Sequence, residues 1–164
     1  MTLSSTTVKD TNSGDGSTTD FVTTFSFWNS SELQVILVSS TGGETTWTEG
    51  TEYDVTGGSG TTGTVSASTT GTDYTPGSSE QLIIQSNMVN IQSVSLTAGG
   101  QFPSTTVEQD LDKIVRMIQQ LEQKFSRAPL LAHASTTSDL TLPNPSSGKV
   151  IGWSSGGGLT NLTV

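Results

Sequence analysis

Few residues of this chain could carry out chemistry. The one histidine, His133, lies between Ala132 and Ala134, with no cysteine anywhere and no acidic pair beside it. A catalytic base or a metal site needs an oriented second group, so His133 is not expected to serve as either. Glu49, Glu52 and Asp54 fall close together, a grouping from which a glycosidase could draw its two carboxylates; acids on a solvated sheet face give the same pattern. Asp10-x-Asn12-x-Gly14-Asp15-Gly16 begins like a calcium loop. It then puts Asp15 at the sixth position, where glycine is needed, and Phe21 at the twelfth, where a bidentate glutamate is needed. Gly57-Gly58-Ser59-Gly60 and Gly156-Gly157-Gly158 lack the Lys-Ser/Thr of a phosphate loop and are expected to be turns. Neither an enzyme nor a bound cofactor or metal is expected.

The elements that would position any site are built from an unusual composition. Of 164 residues, 29 are Thr, 25 Ser and 18 Gly, while Leu, Ile, Val and Phe together number 37. Only 13% are charged, so the chain is polar without being a highly charged disordered polymer. Such a sequence suits β-strands joined by many turns. So sparse a core also invites association, which buries apolar surface that one copy cannot. The net charge of −9 counts against nucleic acid and anionic membrane surfaces as partners. Four of the six basic residues lie between Lys113 and Arg127, interleaved with acids. The start, MTLSSTTVKD, lacks the apolar centre of a signal peptide, and the longest aliphatic run, Val35 to Val38, is too short to cross a bilayer. A soluble protein without an export signal is expected.

Along the chain, residues 1–19 read as a flexible arm with almost nothing to bury. Residues 20–100 read as a β-domain of six or seven short strands, a small sandwich or barrel. Leu33–Val38 is its clearest strand, with Gly42-Gly43 as a two-residue hairpin turn and Trp47 on the returning strand. Thr51–Thr56, Thr61–Ala67 and Leu82–Gln85 follow, and Ile91, Val94 and Leu96 are expected to close the domain.

From residue 101 to 128 the period changes. Thr105-x-x-Glu108 after Pro103 reads as a capping box opening a helix. Val107, Leu111, Ile114, Ile118, Leu121 and Phe125 follow at gaps of 4, 3, 4, 3 and 4. That stripe is two residues in seven, narrower than a helix docked on a globular core usually shows, and isoleucine at both seam types leans towards three strands. The expectation is one long trimeric coiled-coil helix with these six residues at the trimer interface. Residues 129–164 read as a short C-terminal β connector. In it Val150, Trp153, Leu159, Leu162 and Val164 are candidates to receive a partner, an incoming strand pairing with the exposed edges. The fold expected is therefore mainly β: a small N-terminal β-sandwich or barrel-like domain, the helix and the connector, in an elongated homotrimer.

Several segments carry a resemblance. Thr51-Glu-Tyr-Asp-Val-Thr-Gly, Gly63-Thr-Val-Ser-Ala, Gln81-Leu-Ile-Ile and Gly99-Gly-Gln-Phe-Pro-Ser precede the helix Val107-Glu-Gln-Asp-Leu-Asp-Lys-Ile-Val-Arg-Met-Ile-Gln-Gln-Leu-Glu and Ser126-Arg-Ala. In this order they resemble the virion-proximal part of bacteriophage tail fibres and tailspikes, above all the tail-attachment domain of podovirus (T7-like) fibres. Leu142-Pro-Asn-Pro and Gly148-Lys-Val-Ile-Gly-Trp are similar to the linker that often follows that helix. The likeness spans roughly residues 21–155 and is most specific over 102–128; Gln85 and Ser86 stand where the family often has Arg. It implies a homotrimer located in the virion tail, made in the host cytoplasm, whose N-terminal part docks on tail nozzle or adaptor proteins. Such fibres usually continue into a long shaft or a receptor-binding or depolymerase domain, so a chain ending at Val164 is expected to be either an adaptor that mounts a second fibre or spike or a truncated piece of a longer fibre. Two other readings are a tip that contacts host glycans, with Trp47 and Trp153 as stacking platforms, and a bacterial surface adhesin module.

Overall fold

The computed structural model describes residues 5–91, 103–131, 134–135 and 141–163. The chain divides into two compact units, Met1–Ser126 and Arg127–Val164. The described residues form nine strands in three sheets and one α-helix.

The first unit holds two antiparallel sheets. One has the order β1-β7-β3-β4, from Lys9–Ser13, Gln81–Ser86, Leu33–Val38 and Glu44–Thr46. The other has the order β2-β6-β5, from Asp20–Val22, Gly63–Ala67 and Tyr53–Gly57. Alternation along each strand decides what is inside. Leu33 and Val35 of β3 and Leu82 and Ile84 of β7 meet Phe21, Val65, Ala67 and Tyr53 of the second sheet in one core, with Phe25, Phe27 and Trp47. Val35, Val65, Leu82 and Ile84 are completely buried. Thr23 is buried with them, its hydroxyl donating to the Phe25 carbonyl (2.9 Å) and accepting the Gly63 N–H (3.0 Å), so no polar cost is left there. Gly58 is held at φ 82° beneath Phe27, where a Cβ would meet the ring at 2.6 Å; only glycine fits.

Residues 9–13, inside the segment read as a flexible arm, form β1, with Asp10 opposite Ile84 and Asn12 opposite Leu82 of β7. The β3–β4 hairpin turns through Ser39–Gly43 rather than at Gly42-Gly43 alone: Val38 pairs with Glu44, and Ser39 N–H donates to the Gly43 carbonyl. Ile91 lies outside any strand, and Val94 and Leu96 are outside the described residues.

The long trimeric coiled coil is not found, and this corrects the expected fold class. The helix, α1, covers Ser104–Phe125, 22 residues, or about 33 Å. It lies against its own β-domain through Arg116 and Gln120, which are 4% and 6% exposed. The capping box is absent too. Pro103 is the N-cap, with no side-chain cap bond, and its carbonyl accepts the N–H groups of Thr106 and Val107. With φ already near the helical value, proline starts the helix, and Thr105 falls inside it.

The second unit contains a hairpin of β8 (Lys149–Trp153) and β9 (Leu159–Thr163), with Val150 opposite Leu162 and Trp153 opposite Leu159. Ser154 and Gly158 close the turn by a 2.8 Å backbone bond.

Candidate functional site: a polar helix seat and an open apolar stripe

The distinctive arrangement of the first unit is how α1 meets the β-domain. At 100° per residue, Arg116 lies about 200° round the helix from both Ile114 and Ile118, on the opposite face from the stripe. That opposite face is the one held. Arg116 Nη1 donates to Glu32 Oε2 (3.2 Å) and to the Ser26 carbonyl (3.4 Å). Glu32 belongs to the 3-10 turn Ser30–Glu32 that opens β3, and its carboxylate also accepts the Trp28 N–H (3.0 Å). One turn on, Gln120 Oε1 accepts the Met88 N–H (2.7 Å) and the Ser86 hydroxyl (3.2 Å), while its Nε2 donates to the Met88 carbonyl (3.3 Å). Lys113 Nζ donates to the Ile91 carbonyl (2.8 Å) and Gln119 Nε2 to that of Ser5 (2.9 Å). Arg116 Nε and Gln119 Oε1 are buried without a partner among the described residues.

The stripe faces away. Leu111, Ile114, Ile118, Leu121 and Phe125 are each more than half exposed, Val115 beside them is exposed, and Val107 is half-buried. Together these side chains leave an uncovered apolar row along the helix. Two grooves run along one flank of α1: one of about 330 Å³ between Asn90, Ile91 and Ile114, one of about 220 Å³ beside Ile118, Leu121 and Lys124. Charge sharpens the picture. Residues 1–103 carry ten acids and one base, so the β-domain bears the whole net charge of −9. Residues 104–127 carry four of each and are neutral. The helix thus adds nothing to the net charge that the β-domain carries.

Of the C-terminal candidates, Val150 and Leu162 share one face of the hairpin, and Trp153 and Leu159 share the other with Ile151. Val150, Ile151, Trp153 and Leu162 are exposed and Leu159 is half-buried. Val164 and His133 are outside the described residues.

Three of the other acidic candidates, Asp10, Asp15 and Glu52, bind neighbouring groups of the fold. Asp10 accepts the Thr24 N–H (2.8 Å) and hydroxyl. Asp15 caps Ser17 and Thr18, and the Thr18 hydroxyl bond first, then backbone bonds, hold its carboxyl well below the usual range. Glu52 accepts the Thr48 N–H (2.7 Å), while Glu49 and Asp54 are exposed, Asp54 on β5 opposite Ser66 of β6. Among the described residues, no three His, Cys, Asp or Glu side chains gather as a metal site, and no helix is long and apolar enough to cross a membrane. Trp47, offered as a glycan platform, is in the core, edge-on to Tyr74 at 6.1 Å; it has no free face to stack on.

No protein-family model and no curated protein matches the sequence.

Proposed function

We propose that this chain is a structural virion protein of a bacteriophage tail: a trimeric tail fibre or fibre-adaptor subunit that anchors to the tail and mounts a distal fibre or spike for host attachment. The observation that carries the reading is the helix seated by its polar face with Leu111, Ile114, Ile118, Leu121 and Phe125 left open. A stripe of that kind is unfavourable in water until other chains cover it. In this arrangement each copy keeps α1 on its own β-domain, and neutral helices bring the copies together. The acidic β-domain faces the tail proteins. The hairpin, apolar on both faces and too small to be stable alone, receives the second fibre or spike through Val150, Trp153, Leu159 and Leu162. The resemblance of residues 51–57, 63–67 and 107–128 to tail-attachment regions supports the same assignment.

Immunogold labelling of intact virions tests it. An antibody raised against residues 5–126 should decorate the tail. Protein found only in the lysate, never on particles, would sink the proposal.

A further inference from the structure

The seat of α1 is a costly way to attach a helix. It buries a guanidinium and an amide, and among the described residues it leaves Arg116 Nε and Gln119 Oε1 without partners. A buried ion pair commonly contributes less than apolar side chains of similar volume would, and each orphaned polar atom lowers stability further. If attachment were the only requirement, the row of Leu and Ile on the other face would meet the β-domain and the polar face would meet water. The chain does the reverse.

We infer that Arg116 and Gln120, through Glu32, Ser86 and Met88, determine which face of α1 stays open and so act as positioning residues for self-assembly. The inference rests on the proposed covering of the stripe by copies of this chain. The selection follows from chemistry. Glu32 Oε2 needs a cation beside it, and Met88 needs an acceptor for its N–H and a donor for its carbonyl. Ile114, Ile118 or Leu121 rotated into the seat would strand those groups in a buried site, so the stripe is excluded from its own domain. Without these groups, the six apolar residues could fold back onto Trp28, Met88 and Ile91, and each copy would satisfy itself.

The absence of cysteine permits a clean test. Val115→Cys places one thiol beside the stripe, and its labelling rate is followed against protein concentration in two backgrounds: the native seat and Arg116→Met/Gln120→Leu. With the native seat, labelling should be fast when dilute and slow about tenfold once light scattering shows assembly, a change equal to about 1.4 kcal/mol of protection. In the double variant Glu32 and Met88 are unpaired whichever face meets them, so the native face loses its advantage: labelling should already be slow when dilute and the mass should shift towards that of one chain. A purely structural role for the pair would only loosen the helix and leave the thiol labelling fast when dilute. Should the double variant lose its helical circular dichroism, Gln120→Leu alone supplies the comparison. Equal concentration dependence in the two backgrounds overturns the inference and leaves self-assembly standing. Fast labelling at all concentrations with the native seat, together with a one-chain mass, overturns self-assembly itself.

Discussion

Arg116 Nη1 stands 3.2 Å from Glu32 Oε2, joining the middle of α1 to the turn that opens β3. The two side chains are 5% and 18% exposed, so the pair is shielded enough to matter, unlike an ion pair on open surface. Glu32 also accepts the Trp28 N–H, and its carbonyl accepts the Asn87 N–H (2.7 Å). One acid thus ties together the helix, the segment before β3 and the segment after β7.

Glu32→Ala should therefore loosen α1 more than it disturbs the sheets. Hydrogen bonds to charged groups contribute about 2 kcal/mol, and the loss leaves Arg116 buried beside no carboxylate. Urea titration followed by circular dichroism should show the helical signal lost at lower urea than the β-signal. Coincident, unshifted transitions would show that the pair does not hold the helix.

The core makes a different prediction. Leu82 is completely buried between the sheets, and Leu82→Ala should cost about 2–5 kcal/mol, read as a drop in urea midpoint. Val22→Ala on the outside of β2, where Val22 is 65% exposed, should change stability by less than about 0.5 kcal/mol.

Stability should fall at both ends of the pH range, for different groups. Burial first, then the Glu49 and Glu52 carboxylates, push the Tyr53 phenol above its ordinary 10.0. The folded chain therefore holds that proton longer than the unfolded chain, and the contribution is complete below pH 10 and lost as pH rises through the raised value. Thermal midpoints of Tyr53→Phe should lack the alkaline decline that the parent shows. Asp15 and Asp73 act in the other sense. Hydrogen bonds from Thr18 and Thr75 hold both below 3.8, so their contribution is present above about pH 4 and fades as pH drops further. Asp15→Asn and Asp73→Asn should blunt the acid decline, and an unchanged acid limb would refute the assignment.

Some of this was legible from sequence because one physical signal dominated. Leu33–Val38 and Gln81–Ser86 are aliphatic runs bounded by turn residues, and they form the middle of the four-stranded sheet. Lys9–Ser13 carried no such signal. Lys9, Asp10 and Asn12 are poor strand formers, and the segment becomes β1 because β7 offers an open edge to pair with, a tertiary effect that propensity does not contain. The helix shows where periodicity misleads. Its apolar residues predict a stripe correctly but not what the rest of the helix does. Arg116 and Gln120 have the residue types of a solvated face, and only their partners, 84 and 32 residues away at Glu32 and Met88, reveal that this face is inside. The narrow stripe read as a coiled-coil seam is the portion left over once the polar face has been taken by the β-domain.

Molar mass against concentration, by light scattering coupled to size exclusion, tests the central claim most directly, on the intact chain and on Ile118→Asp. The intact chain should give three times 17.1 kDa at micromolar concentration. Ile118→Asp, which would bring carboxylates together under the proposed covering of the stripe, should give 17.1 kDa with the helical signal unchanged. A mass of 17.1 kDa for the intact chain throughout the micromolar range, or an Ile118→Asp variant that assembles as the parent does, would contradict the claim that copies of this chain cover the open face of α1.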